Sequence, residues 1–554
     1  MAFSALLASL RLNQLSAELL TELAAQEPPV ADTLVYLEEA DVPRLIAAAP
    51  QSKIVSHLTI VGSPCRRSDR PYCCFDVRRE REMVLCFRVG PGAVGLCHSL
   101  DHATSLTTLR LSDIVLDEAA ATAIAAGLAN HSTLREMSLK CDKIHPDGTL
   151  SPVAAALAEN TTLQTLSVSL CRAASDADVS AFFAAVGENR GLKSFHVERI
   201  TLTARGSRAA GTALARNTCL EELRFVHCAL RTSGAALFCG LARNCGLLRF
   251  TFRNSSVLGD DASAALGNAL AQHPRLQRVH LTGWVLGKAE NVAAIALGLA
   301  RSESLLELDL SENRLRDDGA TALAEAVLSM GRLNTLDLAS NLIGDEGAAA
   351  LGHALARHGA LEKLVLRNNL GIGDAGGRAL AEGLQRNGSL KELDMTGVNS
   401  VGLAGLRYLC TGLERNHAVT HFTCTDATTG FETDAAVAAL RALLRCNTNL
   451  VETPYCMDFA IKAALITNRV FFCATELMPR RPSILPRLLA SMSVVLMVMR
   501  GSLTSGSGDD GAPQLLLHSS VPTDLIFSVS RAQCDRGRRR RYRGVTARLA
   551  CNAR

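Results

Sequence analysis

The chain has 554 residues, with 58 basic and 54 acidic side chains and a net charge of +4. Its last 24 residues hold nine arginines against one acidic residue, Asp535; without them about −4 remains, so the basic character is all in the tail. A globular chain of this length would form three or four domains unless a repeat overrides that prior, and the apolar run LLASMSVVLMVM at 488–499, 12 residues between Arg487 and Arg500, falls short of the ~20 a membrane span needs.

Residues 1–52 read as a helical lead-in. LSAELLTELAAQ at 15–26 has helical spacing, and the segment beginning PPVADTLVYLEEA at 28–40 suggests further helices. FSALLASL at 3–10 is short and lacks a basic lead, so it does not fit a signal peptide. On that ground the 18 cysteines read as reduced and the protein as cytoplasmic. Residues 53–105 read as an atypical capping repeat. Val55, Leu58 and Ile60 suggest an early strand, a polar insertion lies near 63–82, and AVGLCHSLDHATS at 93–105 fits a helix half.

From 106 to 449 the chain repeats. LLELDLSEN at 305–313 recurs as LNTLDLASN at 333–341 and LEKLVLRNN at 361–369, a frame of L-x-x-L-x-L-x-x-N. Its first apolar position falls at Leu106, Leu134, Leu163, Leu192, Leu220, Leu247, Leu276, Leu305, Leu333, Leu361, Leu390 and Val419. That makes twelve starts at a period of 27 to 29 residues. A fixed period in this range marks a solenoid. The first half of each unit alternates apolar and polar residues, as a strand with one buried face does. The second half, such as RDDGATALAEAVLSMG at 316–331, spaces Ala320, Leu323 and Val327 as a helical stripe, and Ala348, Leu351 and Leu355 repeat it. Asp317 or Asp318 is placed to cap the first of these helices. Strand, helix, strand gives parallel pairing with the helices outside. Helices are wider than strands are far apart, so the stack must bend, with a twelve-stranded inner face of roughly 55 Å at ~4.8 Å per strand. Asn313, Asn341 and Asn369 sit where the chain leaves the strand and read as structural turn residues that bond unpaired backbone groups. Cys171, Cys228, Asp142, Trp284 and Val398 take that place elsewhere.

Residues 450–500 read as a degenerate cap, with MDFAIKAALITNRV at 457–470 as its closing helix. Residues 501–554 read as a disordered basic tail that opens on the linker GSLTSGSGDDGAP. RGRRRRYRG at 536–544 leaves nuclear import or a nucleic-acid contact open for the tail alone.

The 28- or 29-residue unit with asparagine or cysteine at the turn and a full helix resembles ribonuclease-inhibitor-like leucine-rich repeats. Ran GTPase-activating proteins and the repeat region of nucleotide-binding, leucine-rich-repeat immune receptors share this type. The resemblance implies an α/β horseshoe and a non-enzymatic protein-binding scaffold, of the kind used in innate-immune-type or regulatory signalling. The Ran type implies an alternative, GTPase activation through a rim residue such as Arg316 or Asn313. Two features depart from those relatives: no G-x-x-x-x-G-K-[ST] loop is present, and the C-terminal tail is basic where the Ran type is acidic.

Outward positions on the inner strands are the first candidates for binding. Arg224, Arg249, Arg253 and Arg278 converge across three adjacent repeats beside His280, and Glu307, Asp309, Asp337, Glu392 and Asp394 form an acidic stretch further along. Segregated charge of this kind suits a protein partner with a complementary pattern. Trp284, the only tryptophan, stands at a turn position, where it fills the space of the residue it replaces or anchors a partner. His98 and His102, beside Cys97, have helical spacing but no second ligand pair; Cys65, Cys73 and Cys74 lack one too. Neither a serine elbow nor an H-E-x-x-H pair occurs. The sequence therefore implies no metal, no cofactor and no catalytic residue.

Overall fold

The computed structural model describes residues 33–36, 57–61, 72–76, 82–86 and 106–451, the last apart from 117, 145–149, 171–174, 231–233, 256, 284–285, 287, 399 and 426–433. The helical segments expected at 15–26, 93–105 and 457–470, the tail, Trp284, Cys97, His98 and His102 lie outside the described residues.

Twelve strands carry the array: β5 (Thr108–Leu116), β6 (Glu136–Ile144), β7 (Thr165–Ser169), β8 (Ser194–Glu198), β10 (Glu222–Val226), β12 (Arg249–Arg253), β13 (Arg278–Thr282), β14 (Glu307–Asp309), β15 (Thr335–Asp337), β16 (Lys363–Val365), β17 (Glu392–Thr396) and β18 (His421–Thr425). All twelve pair in parallel with their sequence neighbours in one sheet. Two short strands, β9 (Thr201–Leu202) and β11 (Ala229–Leu230), form a separate parallel pair. Each main strand begins two residues after a repeat start. Consecutive strands are joined by helices: α1 (Glu118–Asn130), α2 (Ser151–Glu159), α3 (Asp176–Glu188), α4 (Ala204–Arg216), α5 (Ala235–Arg243), α6 (Asp260–Gln272), α7 (Ala289–Leu299), α8 (Arg316–Ser329), α9 (Asp345–Arg357), α10 (Asp374–Arg386) and α11 (Leu403–Glu414), with α12 (Asp434–Cys446) after the last strand. A parallel crossover needs such an element to carry the chain back.

The register explains why the period must be held. Leu109, Met137, Leu166, Phe195, Leu223, Phe250, Val279, Leu308, Leu336, Leu364, Leu393 and Phe422 stand opposite one another from strand to strand. All are buried. A one-residue slip would turn this row to the other face and expose it. The helices close the core with their own stripes: Ala320, Leu323 and Val327 are buried, and so are Ala348, Leu351 and Leu355. Adjacent helices approach closely enough that a Cβ on Gly240 would stand 2.0 Å from the Gly211 carbonyl oxygen, so that position admits only glycine.

Ahead of the array the sheet continues. β2 (His57–Val61) pairs in parallel with β5, Leu58 opposite Leu109, so the early strand expected there keeps the repeat register. Two expectations need correction. The segment read as further helix contains β1 (Thr33–Tyr36), antiparallel to β3 (Tyr72–Asp76), and the segment read as a polar insertion contains β3, antiparallel to β4 (Glu82–Cys86). β4 lies on the far side of β2, parallel to it. Pairing to an existing sheet edge supplies hydrogen bonds that local periodicity does not register.

Candidate functional site: the open face of the sheet

Alternation gives the sheet a covered face, under the helices, and an open one. In β8 and β10 the burial runs half-buried, buried, half-buried through Glu198 and Val226, so the first, third and fifth residues face outward. Two rows of outward side chains follow from the register. The first runs Ser194, Glu222, Arg249, Arg278, Glu307, Thr335, Lys363, Glu392 and His421. The second runs His196, Arg224, Thr251, His280, Asp309, Asp337, Val365, Asp394 and Thr423. Arg253 ends its strand one step beyond, opposite Val226 and Thr282. All ten residues expected to line this face therefore stand on it.

The charges are less segregated than the sequence suggests. Glu222, which sequence reading passed over, sits between the arginines. Its oxygens lie 3.4 Å from Arg249 Nε, 3.6 Å from Arg224 Nε and 3.8 Å from His196 Nε2, and they accept a 3.1 Å hydrogen bond from the Ser194 hydroxyl. Glu307 is part of the basic end: Arg278 Nε lies at 3.2 Å and His280 Nε2 at 3.1 Å. The hydrogen bond from His280 draws the Glu307 carboxyl below its usual range, against the opposing effect of burial. Glu392 is paired with Lys363 at 2.7 Å and Asp394 with Arg367 at 2.5 Å.

Three groups are left without an ion pair among the described residues. Arg253 is exposed. Asp309 and Asp337 are neighbours in register, and each bends its carboxylate back to accept the backbone N–H two residues on, at 2.9 Å. Burial pushes the Asp337 carboxyl up to about 6, with Asp309 adding to the rise. Asp394 is held low instead. Burial opposes ionisation there too, but hydrogen bonds from Thr396, Arg367 and Thr423 outweigh it.

The edge of the face is set by three ladders of side chains. Asn341 Oδ1 accepts from the backbone N–H of Asn313 and Leu315 (3.0 and 3.3 Å), and its Nδ2 donates to Leu310 O (2.9 Å). Asn369 does the same for Asn341 and Ile343 (2.9 and 3.1 Å) and donates to Leu338 O (2.9 Å). Holding two N–H groups on one oxygen curls the chain, and the intervening Arg314 and Leu342 take positive φ, 55° and 58°. Asn313 belongs to this ladder and is 2% exposed. Its amide cannot serve a partner GTPase, whereas Arg316 is exposed at the rim. At Cys228 the ladder lapses, and the thiol, pushed up to about 11 by burial, lies 3.4 Å from Val226 O.

The second ladder escaped sequence reading. Asn160, Asn189, Asn217, Asn244, Asn387 and Asn416 each stand three residues before a repeat start and are buried. Asn189 is typical: its Nδ2 donates to Leu157 O and Asn160 O at 2.6 Å, and its Oδ1 accepts from Gly191 and Leu192 N–H at 3.0 and 2.7 Å. His358 takes the role with Nδ1 as acceptor for Ala360 and Leu361. The signal was a period-locked N or H three residues ahead of nine of the twelve repeat starts.

The third ladder corrects an expectation. Asp317 does not cap its own helix, whose N-cap residue, Leu315, makes no side-chain bond. Its Oδ1 accepts from Gly344 and Gly347 of the next repeat at 2.7 and 2.9 Å. Asp345 serves Gly373 and Gly376 in the same way, and Asp374 serves Gly402 and Gly405. Lying already inside the first turn, Asp317 projects toward the neighbouring helix start, where a Cβ on Gly344 would meet it at 2.8 Å.

Among the described residues no helix is long and apolar enough to cross a membrane, and no group of three or more His, Cys, Asp or Glu side chains could hold a metal ion. Cys219, Cys228, Cys239, Cys245, Cys410 and Cys446 form no disulfide, and Cys141, Cys228, Cys410 and Cys424 are buried.

Comparison with known proteins agrees with this architecture. A leucine-rich-repeat family model matches residues 301–324 and 333–352. Ribonuclease inhibitor of Sus scrofa is 32% identical over 142 residues, 25% of this chain; the match spans about a third of that relative's length (31%). Two solved structures are similar at lower level. A chain of the yeast Rad7 and Elc1 complex has 13% identity and a TM-score of 0.38, over 65% of this chain and 86% of that one. The actin-binding site 2 of leiomodin-1 has 19% identity and a TM-score of 0.24, over 29% of this chain and 92% of that one.

Proposed function

We propose that this chain, whose repeats are ribonuclease-inhibitor-like leucine-rich repeats, is a non-enzymatic scaffold that binds a protein partner on the open face of its sheet. The observation that carries the reading is the two rows of outward side chains from β8 to β18, all but Val365 polar, with cations concentrated on β10 to β13 and carboxylates outside any ion pair on β14 and β15. A face of this length exceeds the ~800 Å² per partner of a standard interface. Charge patterns there select a partner and speed encounter more than they add affinity. Ribonuclease inhibitor, by its name, inhibits an enzyme, which supports binding rather than catalysis. Signalling is the setting we assign to such a scaffold, and the cytoplasm its location, with import into the nucleus through the Arg-rich tail.

Affinity capture with the full chain tests the reading. Asp309→Lys with Asp337→Lys, or Arg224→Glu with Arg253→Glu, should each deplete the captured proteins while the variants still unfold in one cooperative thermal transition. Capture that is identical for both variants and the parent rejects the open face as the binding surface.

A second reading, activation of a Ran-type GTPase, rests on the exposed rim position of Arg316, held at a φ of 55°. Arginine completes a GTPase site by stabilising charge in the transition state. Single-turnover GTP hydrolysis by Ran that is no faster with the chain present ends it.

A further inference from the structure

Between β8 and β13 the open face carries more cation than anion. Arg224, Arg249, Arg253 and Arg278 stand against Glu198 and Glu222. Glu222 is shared by two arginines, and Arg278 leans away to Glu307. Three polar groups are left incomplete there. Arg253 has no carboxylate in ion-pair range among the described residues. Thr282, its register neighbour, is 5% exposed, and its Oγ1 has no hydrogen-bond partner. Arg224 Nε is buried without a hydrogen bond, its carboxylate oxygen standing off at 3.6 Å. A buried polar group without a partner is costly, and the large majority of buried polar side-chain atoms in native proteins have one.

We propose that this patch seats an acidic segment of a protein partner, its carboxylates taken up by Arg253 and Arg224; the proposal rests on the binding reading above and names the chemistry of that partner. Arg224 and Thr282 lie on strands two apart, roughly 10 Å at ~4.8 Å per step. Alternate side chains of an extended peptide are ~6.6 Å apart, so three alternate residues of one segment span the patch. Its flanks decide between a short acidic segment and a long polyanion. Glu198 lies two strands to one side of Arg253, and Glu307, Asp309 and Asp337 lie beyond β13 on the other. A nucleic-acid backbone crossing the face would meet those carboxylates, whereas a few acidic residues fit between them. Arginine suits the role because its planar fork binds a carboxylate through two parallel hydrogen bonds.

The test uses the full chain with Arg538, Arg539, Arg540 and Arg541 replaced by alanine, so that the tail does not compete. A fluorescein-labelled peptide of five glutamates, ~16 Å long when extended, is the probe, followed by anisotropy. Arg253→Glu should weaken its binding roughly tenfold, as reversing a partner charge does, and adding Arg224→Glu should remove it. Lys288→Glu, on an exposed lysine at a helix start, should leave it unchanged. Equal thermal midpoints show that the variants fold. The proposal is overturned if Arg253→Glu binds within twofold of its parent, or if a ten-uridine RNA binds more tightly than the peptide and loses as much on Arg253→Glu. Loss of partner capture by Asp309→Lys with Asp337→Lys, alongside either of these results, removes the acidic segment and leaves the scaffold reading standing.

Discussion

The repeats from 194 to 282 and those from 305 to 398 share one period but satisfy their backbone by different means. In the first stretch the strands run five residues, a second small sheet follows two of them, and phenylalanines fill the core. Phe225 touches Phe183, Phe250 and Phe252, with ring centroids 5.9 to 6.4 Å apart. In the second, β14 to β16 run only three residues, and asparagine side chains take over as soon as the chain leaves the sheet. Helix starts differ as well. Thr203 caps its own helix, whereas Asp317, Asp345 and Asp374 cap the next. A repeat thus has one fixed demand, that backbone groups released by the strand be met, and more than one way to meet it.

Substitutions separate the two schemes, and the largest effect belongs to the phenylalanine core. Phe225→Ala should cost about 4 kcal/mol, since it removes a fully buried ring and leaves a cavity. In a repeat array that loss falls mainly on neighbouring units, so native-state hydrogen exchange should show it over residues 194–253 and little at 333–396. A uniform loss of protection would mean that the two stretches unfold as one. Next comes the asparagine ladder. Asn341→Ala strands the backbone N–H groups of Asn313 and Leu315 and should cost about 3 kcal/mol. Cys228→Ala, at the same place in the other stretch, should cost about 1 kcal/mol, because no such bonds depend on its side chain. Equal losses at the two positions, read from denaturant midpoints, would erase the distinction.

Third is the relay of caps. Asp345→Ala should cost about 1 kcal/mol and destabilise the helix that starts at Asp374 rather than its own. Loss of protection in α9 alone would contradict the relay. Fourth is a response to pH that differs within one row of the face. The folded protein raises the Asp337 pKa to about 6, so between pH 6 and the ordinary carboxylate range the folded state binds more protons than the unfolded. Stability from this group rises as pH falls through that window. Asp337→Asn should abolish the rise and stabilise the protein by about 1 kcal/mol at pH 7. Asp394, held low, acts in the opposite sense: its contribution is present above the unfolded pKa and is lost as pH falls through the folded one. Smallest of all, Arg253→Glu should change stability by no more than about 0.5 kcal/mol, as expected of an exposed side chain outside any ion pair.

The face could be read from the sequence because strand alternation assigns outward positions without any knowledge of contacts. Its electrostatics could not. Glu222 looks like one more polar residue in ELRFV, and only the register sets it between Arg224, Arg249 and His196. Asp394 and Asp337 are the same residue type at equivalent positions, yet Arg367 forms an ion pair with Asp394 and acts on Asp337 only from beyond ion-pair range. The asparagines ahead of six of the repeat starts were visible in the period but lacked a reason until their amides were seen to tie one helix end to the next.

What the sequence by itself determined was the solenoid: a 28-residue spacing of leucines leaves every unit with an apolar face that only an identical neighbour can cover. It determined too which side chains face outward, because a strand has a period of two. The tertiary structure alone decided which charges cancel, which helix each aspartate caps and how the sheet continues through β2, β4, β3 and β1. Those outcomes depend on groups about 28 residues apart in the chain standing one strand apart in space, a distance that local pattern cannot measure.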